Sequence, residues 1–282
     1  MTNLSEFTFL SSDGKTQLHG MLWEPEGVAV RAVLQICHGV AEHIARYDGF
    51  ARALNEQGIV VAGHDHLGHG KSLPEGGTPV YFGDGNTWNT VVDDIYVLHQ
   101  RLKQRYPDVP LCIMGHSMGS FLTRTYLIRY PGTVKAAVIM GTGWQPRAAI
   151  TGGLALANAI AAVSGENATS ELVTELAFGS YNKLFAPNRT KVDWLSADES
   201  NVDDYIADPL CGADATVGLF RQMLHGIRFN QRQSHLRQMD REMPVLFVAG
   251  DKDPVGSCGK GVRQTYDAFR AAGMRDCTLK LY

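Results

Sequence analysis

Gly115-His116-Ser117-Met118-Gly119 is the segment of this sequence best equipped for chemistry. It follows the apolar run Leu111–Met114 and precedes a stretch with helical spacing. At a strand-to-helix junction, Gly-x-Ser-x-Gly makes a turn so tight that the flanking positions tolerate almost no side chain. The serine is left exposed at the tip, above a helix N-terminus whose dipole favours negative charge. Gly115, His116 and Gly119 would form that elbow, with Ser117 as the nucleophile of an acyl transfer. A glycine-rich turn with an incidental serine is the plainer alternative.

Attack on a carbonyl creates an oxyanion, which needs two backbone N–H donors already in place. One is expected from the residue after the nucleophile, Met118. The other is expected from the loop His38-Gly39-Val40-Ala41-Glu42-His43, and we assign it to Val40. A carboxylate must also orient the catalytic imidazole and stabilise its cation. Gly250-Asp251-Lys252-Asp253-Pro254-Val255 follows the apolar run Val245–Ala249, so Asp251 and Asp253 are both candidates. Either could instead be an Asx-turn residue. His38, His43, His64, His66 and His69 invite a metal. Their spacing does not match a helical His pair, and no acidic or Cys ligand cluster accompanies them. They are expected to order loops through hydrogen bonds, and neither a metal nor a cofactor is expected.

The elements that must position these residues can be read from periodicity. Residues 6–10 and 17–23 alternate around Ser-Asp-Gly and predict a hairpin. Short buried strands are predicted at Ala32–Cys37, Ile59–Ala62, Leu111–Met114, Val134–Met140, Val245–Ala249 and Thr278–Tyr282. Helices are predicted over about 47–57, 87–105 and 261–272. In the second, Val91, Ile95, Leu98 and Leu102 share one face, with Asp93 and Asp94 on the other. Alternating strands and helices imply an α/β fold with a mostly parallel, doubly wound sheet. The stretch between Gly141 and Pro244 breaks that rhythm with helices and loops. It reads as a cap inserted where ligands bind, over 143–235, with the core in 1–142 and 236–282.

His-Gly-x-x-Glu-His, Tyr47, His64-Asp65-His66-Leu67-Gly68-His69-Gly70-Lys71-Ser72 and Gly-His-Ser-Met-Gly occur in that order. Together they resemble the monoacylglycerol lipase and lysophospholipase branch of the α/β-hydrolases, a branch also described as serine aminopeptidase-like. The resemblance spans nearly the whole chain. It implies Asp253 as the acid, Val40 and Met118 as oxyanion donors, and a cap carrying a wide apolar acyl groove. Ser120 stands where the family usually has a third glycine. The resemblance also implies a catalytic histidine in a loop after the last strand. No histidine occurs after His235, and the chain ends on that strand. We expect truncation of an ordinary enzyme rather than a natural pseudoenzyme. The 282-residue polypeptide by itself is then expected to be poorly active, and less stable than an extended one.

Composition narrows the field further. Net charge is −3, which offers no basic field for nucleic acid. The five cysteines are scattered and odd in number, against a disulfide framework, and a reducing, cytoplasmic setting is expected. Leu154–Val163 is the most apolar stretch and is too short to span a bilayer. The segment Ile150–Val163, with Phe178, Leu184, Phe185, Trp194 and Phe220, could line an acyl pocket, meet a lipid surface, or simply pack on the core. Cys211 could face the pocket but is expected to be buried, and Lys183, Arg189 and Lys191 could contact a phosphate head group but are expected to be solvated. A small-molecule ester or lipid is the expected substrate. The rivals are a short-chain carboxylesterase, a peptidase binding a free amine through Glu166, Glu171 or Glu175, and a non-catalytic ligand-binding scaffold.

Overall fold

The computed structural model describes residues 1–282. The strands are β1 (Thr2–Leu10), β2 (Gln17–Pro25), β3 (Ala32–Cys37), β4 (Ile59–His64), β5 (Leu111–His116), β6 (Ala137–Met140), β7 (Val245–Ala249) and β8 (Cys277–Leu281). They form one sheet in the order β1-β2-β4-β3-β5-β6-β7-β8. β1 and β2 are an antiparallel hairpin, β2 pairs antiparallel with β4, and every later pairing is parallel. The hairpin turn is fixed by Asp13, whose Oδ1 accepts the Lys15 and Thr16 amides at 2.8 Å each.

The helices are α1 (Asp48–Asn55), α2 (Thr87–Arg105), α3 (Met118–Arg129), α4 (Arg147–Ser164), α5 (Glu171–Phe178), α6 (Glu199–Ala207), α7 (Val217–Asn230), α8 (Gln233–Leu236) and α9 (Lys260–Ala271). Adjacent residues of the central strands serve opposite faces of the sheet. Val33, Val60 and Ile113 join the larger core with α2 and α3, while Leu34, Val61 and Met114 join a smaller one with Ala51 of α1. Both faces are covered, so these strands read as unbroken apolar runs.

Two expectations need correction. Val134–Ala136 lie outside β6, because the chain is still turning after Pro131-Gly132 and pairs with β7 only from Ala137. Asp94 is not on a solvent face: it is fully buried. It accepts the Ser11 hydroxyl at 2.9 Å and the Ser12 amide at 2.5 Å, tying the hairpin turn to α2. Burial pushes its carboxyl up to about 6.

β6 and β7 are neighbours in the sheet, so everything from Gly141 to Pro244 is an insertion between them. It carries α4 to α8. Its only strand-like feature is one bridge, Thr169 with Thr216. α7 lies against the core: Asn230 Nδ2 donates to Phe121 O at 2.8 Å, and Thr125 Oγ1 donates to Asn230 Oδ1 at 2.8 Å. α4 is longer than its most apolar stretch. Its 18 residues have mean hydropathy 1.3, which meets the length and composition of a membrane-crossing helix. Ile150, Leu154 and Ala157 are nonetheless packed against the protein.

Candidate active site

β3 lies between β4 and β5, where the strand order reverses, and the loops leaving β3 and β5 open a crevice there. Ser117 caps β5 and precedes α3. Its backbone has φ 51° and ψ −119°, a costly conformation for a residue with a side chain. Ser117 N–H donates to Met140 O at 2.9 Å, which holds the turn down. Glycine is required on both sides. A Cβ on Gly119 would sit 2.0 Å from Cys37 O, and one on Gly115 would sit 2.3 Å from Gly119 O. Ser120 fills the place of the family's third glycine without strain: it is fully buried, and its hydroxyl donates to Ser117 O at 2.6 Å.

Met118 is the first residue of α3, so its amide has no acceptor within the helix. The Val40 amide likewise has no backbone acceptor. Val40, Ser117 and Met118 line one cavity, as an oxyanion site requires. Next to Val40, Ala41 adopts φ 52°. His38 lies behind this loop, fully buried. Its Nδ1 donates to Gly39 O at 2.7 Å, and its Nε2 accepts the His66 amide at 3.0 Å. The His38 and His66 rings pack tilted to each other with centroids 4.1 Å apart, and His64 and His69 lie around them. Burial holds all four below their ordinary pKa, His64 and His69 down to about 3. Only the His38 and His69 rings order the loop through hydrogen bonds, His69 Nδ1 donating to Leu67 O at 2.9 Å. Contrary to expectation, the His64 and His66 rings have no hydrogen-bond partner and act by packing.

Glu42 was not singled out by spacing, yet it organises the site. It is buried, and its Oε1 accepts the Gly39 amide, His116 Nδ1 at 3.0 Å and the Tyr47 hydroxyl at 3.1 Å. Arg46 Nη1 binds Oε2 at 3.1 Å. Burial alone would raise its pKa, but the His116 hydrogen bond and the surrounding positive charge hold it down at about 2. Desolvation lowers the pKa of His116, and the Glu42 hydrogen bond and charge outweigh it, so the net shift is upward. Its place in the motif His-Gly-x-x-Glu-His was the only sequence signal for Glu42.

The two candidate acids separate clearly. Asp251 is exposed, and its amide donates to Tyr282 O at 2.8 Å. Asp253 is half-buried, its Oδ1 accepts the Val255 amide at 2.9 Å, and its pKa is raised by burial. It precedes Pro254 and Val255, which line the Ser117 cavity. Tyr282 N–H donates to Ala249 O at 3.1 Å, so the carboxyl end of β8 arrives beside the Asp253 loop.

The other histidines are engaged elsewhere. His19 bonds Asp65 and Glu6, His43 bonds Asp208, His225 bonds Arg228, and His235 bonds Phe229 O. His99 is buried against Tyr96.

The cavity over Ser117 has a volume of about 710 Å³. Its wall comes from α4, α5 and α7 of the inserted segment, the elbow, and the loop after β7. Of its 27 lining residues, 20 are hydrophobic and none is charged. Phe178, Leu184, Trp194 and Phe220 line it, where the sequence left pocket lining and core packing both open; Phe185 does not. Glu166 pairs with Arg221 at 2.5 Å and does not reach the cavity. Glu171 and Glu175 are exposed, and Cys211 is half-buried.

Comparison with known proteins supports this architecture. A family model described as serine aminopeptidase, S33, matches residues 28–282. A monoglyceride lipase from Mus musculus is 29% identical over 279 residues, covering 97% of this chain and 80% of its own length. A monoacylglycerol lipase from Mycolicibacterium smegmatis is 30% identical over 251 residues, covering 88% and 79%. A solved carboxyl esterase from Bacillus coagulans, in complex with glycerol, has a TM-score of 0.90 at 26% identity, covering 100% of this chain and 90% of its own. By its sheet, its elbow and this family match, the chain belongs to the serine aminopeptidase S33 family of α/β-hydrolases.

Proposed function

We propose that this protein hydrolyses carboxylic esters of the monoacylglycerol type through an acyl-enzyme on Ser117. The observation that carries the proposal is the uncharged, apolar cavity opening onto the strained serine. A volume of about 710 Å³ has room for a long acyl chain, and each buried methylene contributes about 0.8 kcal/mol. The relatives named as monoglyceride lipases support the same substrate class.

In the proposed reaction Ser117 attacks the ester carbonyl, and the Val40 and Met118 amides hold the oxyanion. An imidazole oriented by Asp253 takes the serine proton and returns it to the leaving alcohol. Water then cleaves the acyl-enzyme. No histidine among these 282 residues is placed for that role, and His116 is turned to Glu42. A polypeptide of these residues alone is proposed to act slowly. One that brings an imidazole from the carboxyl end of β8 to Asp253 is proposed to be active. Residues 143–235 act as the cap, and its exposed Leu172, Leu176 and Leu184 are proposed to touch lipid surfaces.

The peptidase reading lacks a carboxylate in the cavity to hold a free amine. A lysophospholipid head group is disfavoured too, since Lys183 pairs with Glu175 and Arg189 with Asp203 outside the cavity. A substrate panel tests the proposal. Turnover of monoacylglycerols above aminoacyl amides, lost in Ser117→Ala, is expected; preference for the amides would reverse it.

A further inference from the structure

Away from the cavity, one group of potential ligands joins the cap to the core. His43 closes the loop that carries Val40, while Asp208 and Cys211 belong to the Asp-Pro-Leu-Cys turn after α6. His43 Nε2 stands 2.7 Å from Asp208 Oδ2. The Cys211 Sγ completes a set whose ligand atoms all lie within 4.8 Å of one another. His43 is buried and the other two are half-buried. Backbone bonds fix the frame. Gly212 N–H donates to Ala41 O at 3.0 Å, and Cys211 N–H donates to Asp208 O at 3.0 Å. Leu210 N–H donates to Asp208 Oδ1 at 2.9 Å, leaving Oδ2 turned to the imidazole. The two ligand-bearing segments are therefore held together without help from an ion.

Imidazole, carboxylate and thiolate are the donors that borderline-soft divalent ions prefer, and three of them leave a fourth position for water. We propose that His43 Nε2, Asp208 Oδ2 and Cys211 Sγ bind a thiophilic divalent cation of the zinc class at the seam between cap and oxyanion loop. On binding, the Cys211 thiol proton leaves to solvent and the His43 proton moves from Nε2 to Nδ1. The ion then links α6 of the cap to the loop that positions Val40. A bound cation holds the Cys211 sulfur as the thiolate.

Cadmium titration tests this directly, because cadmium–thiolate bonds absorb in the ultraviolet. The 282-residue protein is expected to take up one cadmium per chain with a charge-transfer band that zinc competes away. Cys211→Ser should abolish the band, whereas Cys258→Ser, which changes an exposed thiol, should keep it. His43→Gln leaves the thiol in place and should weaken cadmium binding at least about tenfold. Zinc should raise the unfolding temperature of the parent protein and not that of Cys211→Ser. Should Cys211→Ser fail to fold, as judged by circular dichroism, the His43→Gln titration decides. A band that persists in Cys211→Ser, a band lost in Cys258→Ser, or unchanged affinity in His43→Gln would overturn the proposal.

Discussion

The Glu42 carboxylate meets the His116 imidazole at 3.0 Å, joining the loop after β3 to the residue before Ser117. The same oxygen receives the Gly39 amide. One buried anion thus ties the loop carrying Val40 to the turn carrying Ser117. Glu42→Gln keeps the shape but removes the charge, leaving Arg46 and His116 poorly matched. Loss of such a buried charged partner should cost about 1–3 kcal/mol in stability, read by urea unfolding. Ester turnover should fall more steeply, by about 10²-fold or more, because displaced oxyanion donors cost that much. Unchanged turnover would show that Gly39 and Val40 are held by other means.

Acid should destabilise the fold through the histidines behind the oxyanion loop. His64 and His69 are held at about 3 and His66 well below its ordinary value, chiefly by burial. Unfolded, each titrates near 6.5, so below that pH the unfolded chain binds more protons and stability falls. Each such histidine costs about 1.4 kcal/mol per pH unit until its folded pKa is reached. Asp94, pushed up to about 6, opposes this below that pH, as does Asp253, raised by burial, but the four buried histidines His38, His64, His66 and His69 outnumber them. Urea midpoints should drop steadily from pH 7 to 5. His64→Phe, which removes two buried nitrogens without partners beside Phe9, should flatten the slope.

Arg124 is a second buried charge, and it has no carboxylate. It is fully buried, donates through Nη1 to Gly143 O at 3.0 Å, and leaves Nε and Nη2 without partners. Burial pulls its guanidinium down to about 9. Replacing an uncompensated buried cation by an apolar side chain of similar length should be neutral or stabilising, by about 1–4 kcal/mol. Arg124→Met should therefore unfold at the same or a higher temperature. A large drop would mean that the guanidinium has an anionic partner.

The cavity wall should set acyl length. Ala177 lines the cavity beside Phe178 and is half-buried. Ala177→Phe should reduce kcat/KM for long acyl chains, with short chains little affected. Each excluded methylene is worth up to about 0.8 kcal/mol, near fourfold. Equal loss for short and long chains would place the acyl group elsewhere.

Local features of the site were legible in the sequence. The strand-to-helix junction around Ser117 is specified by glycines and an apolar run within a few positions of each other. The hairpin, the central strands and α2 likewise follow from short-range periodicity. What stayed hidden depends on residues far apart in the chain. Asp94 looks solvated on a helical wheel until the Ser11–Ser12 turn folds over it. His43 and Asp208 are 165 positions apart, so no local spacing could reveal their contact. Residue types alone left Asp251 and Asp253 both open and only the resemblance pointed to Asp253; that Asp253 is half-buried while Asp251 is exposed depends on how the loop after β7 folds.

The central claim is that Ser117 carries the acyl group. Brief exposure to an activated long-chain ester, with imidazole added to the buffer as a base, followed by peptide mass spectrometry, tests it most directly. The account predicts an acyl adduct on the peptide containing Ser117, increasing with imidazole concentration and absent from Ser117→Ala. An adduct on another residue, or the same acylation in Ser117→Ala, would contradict it.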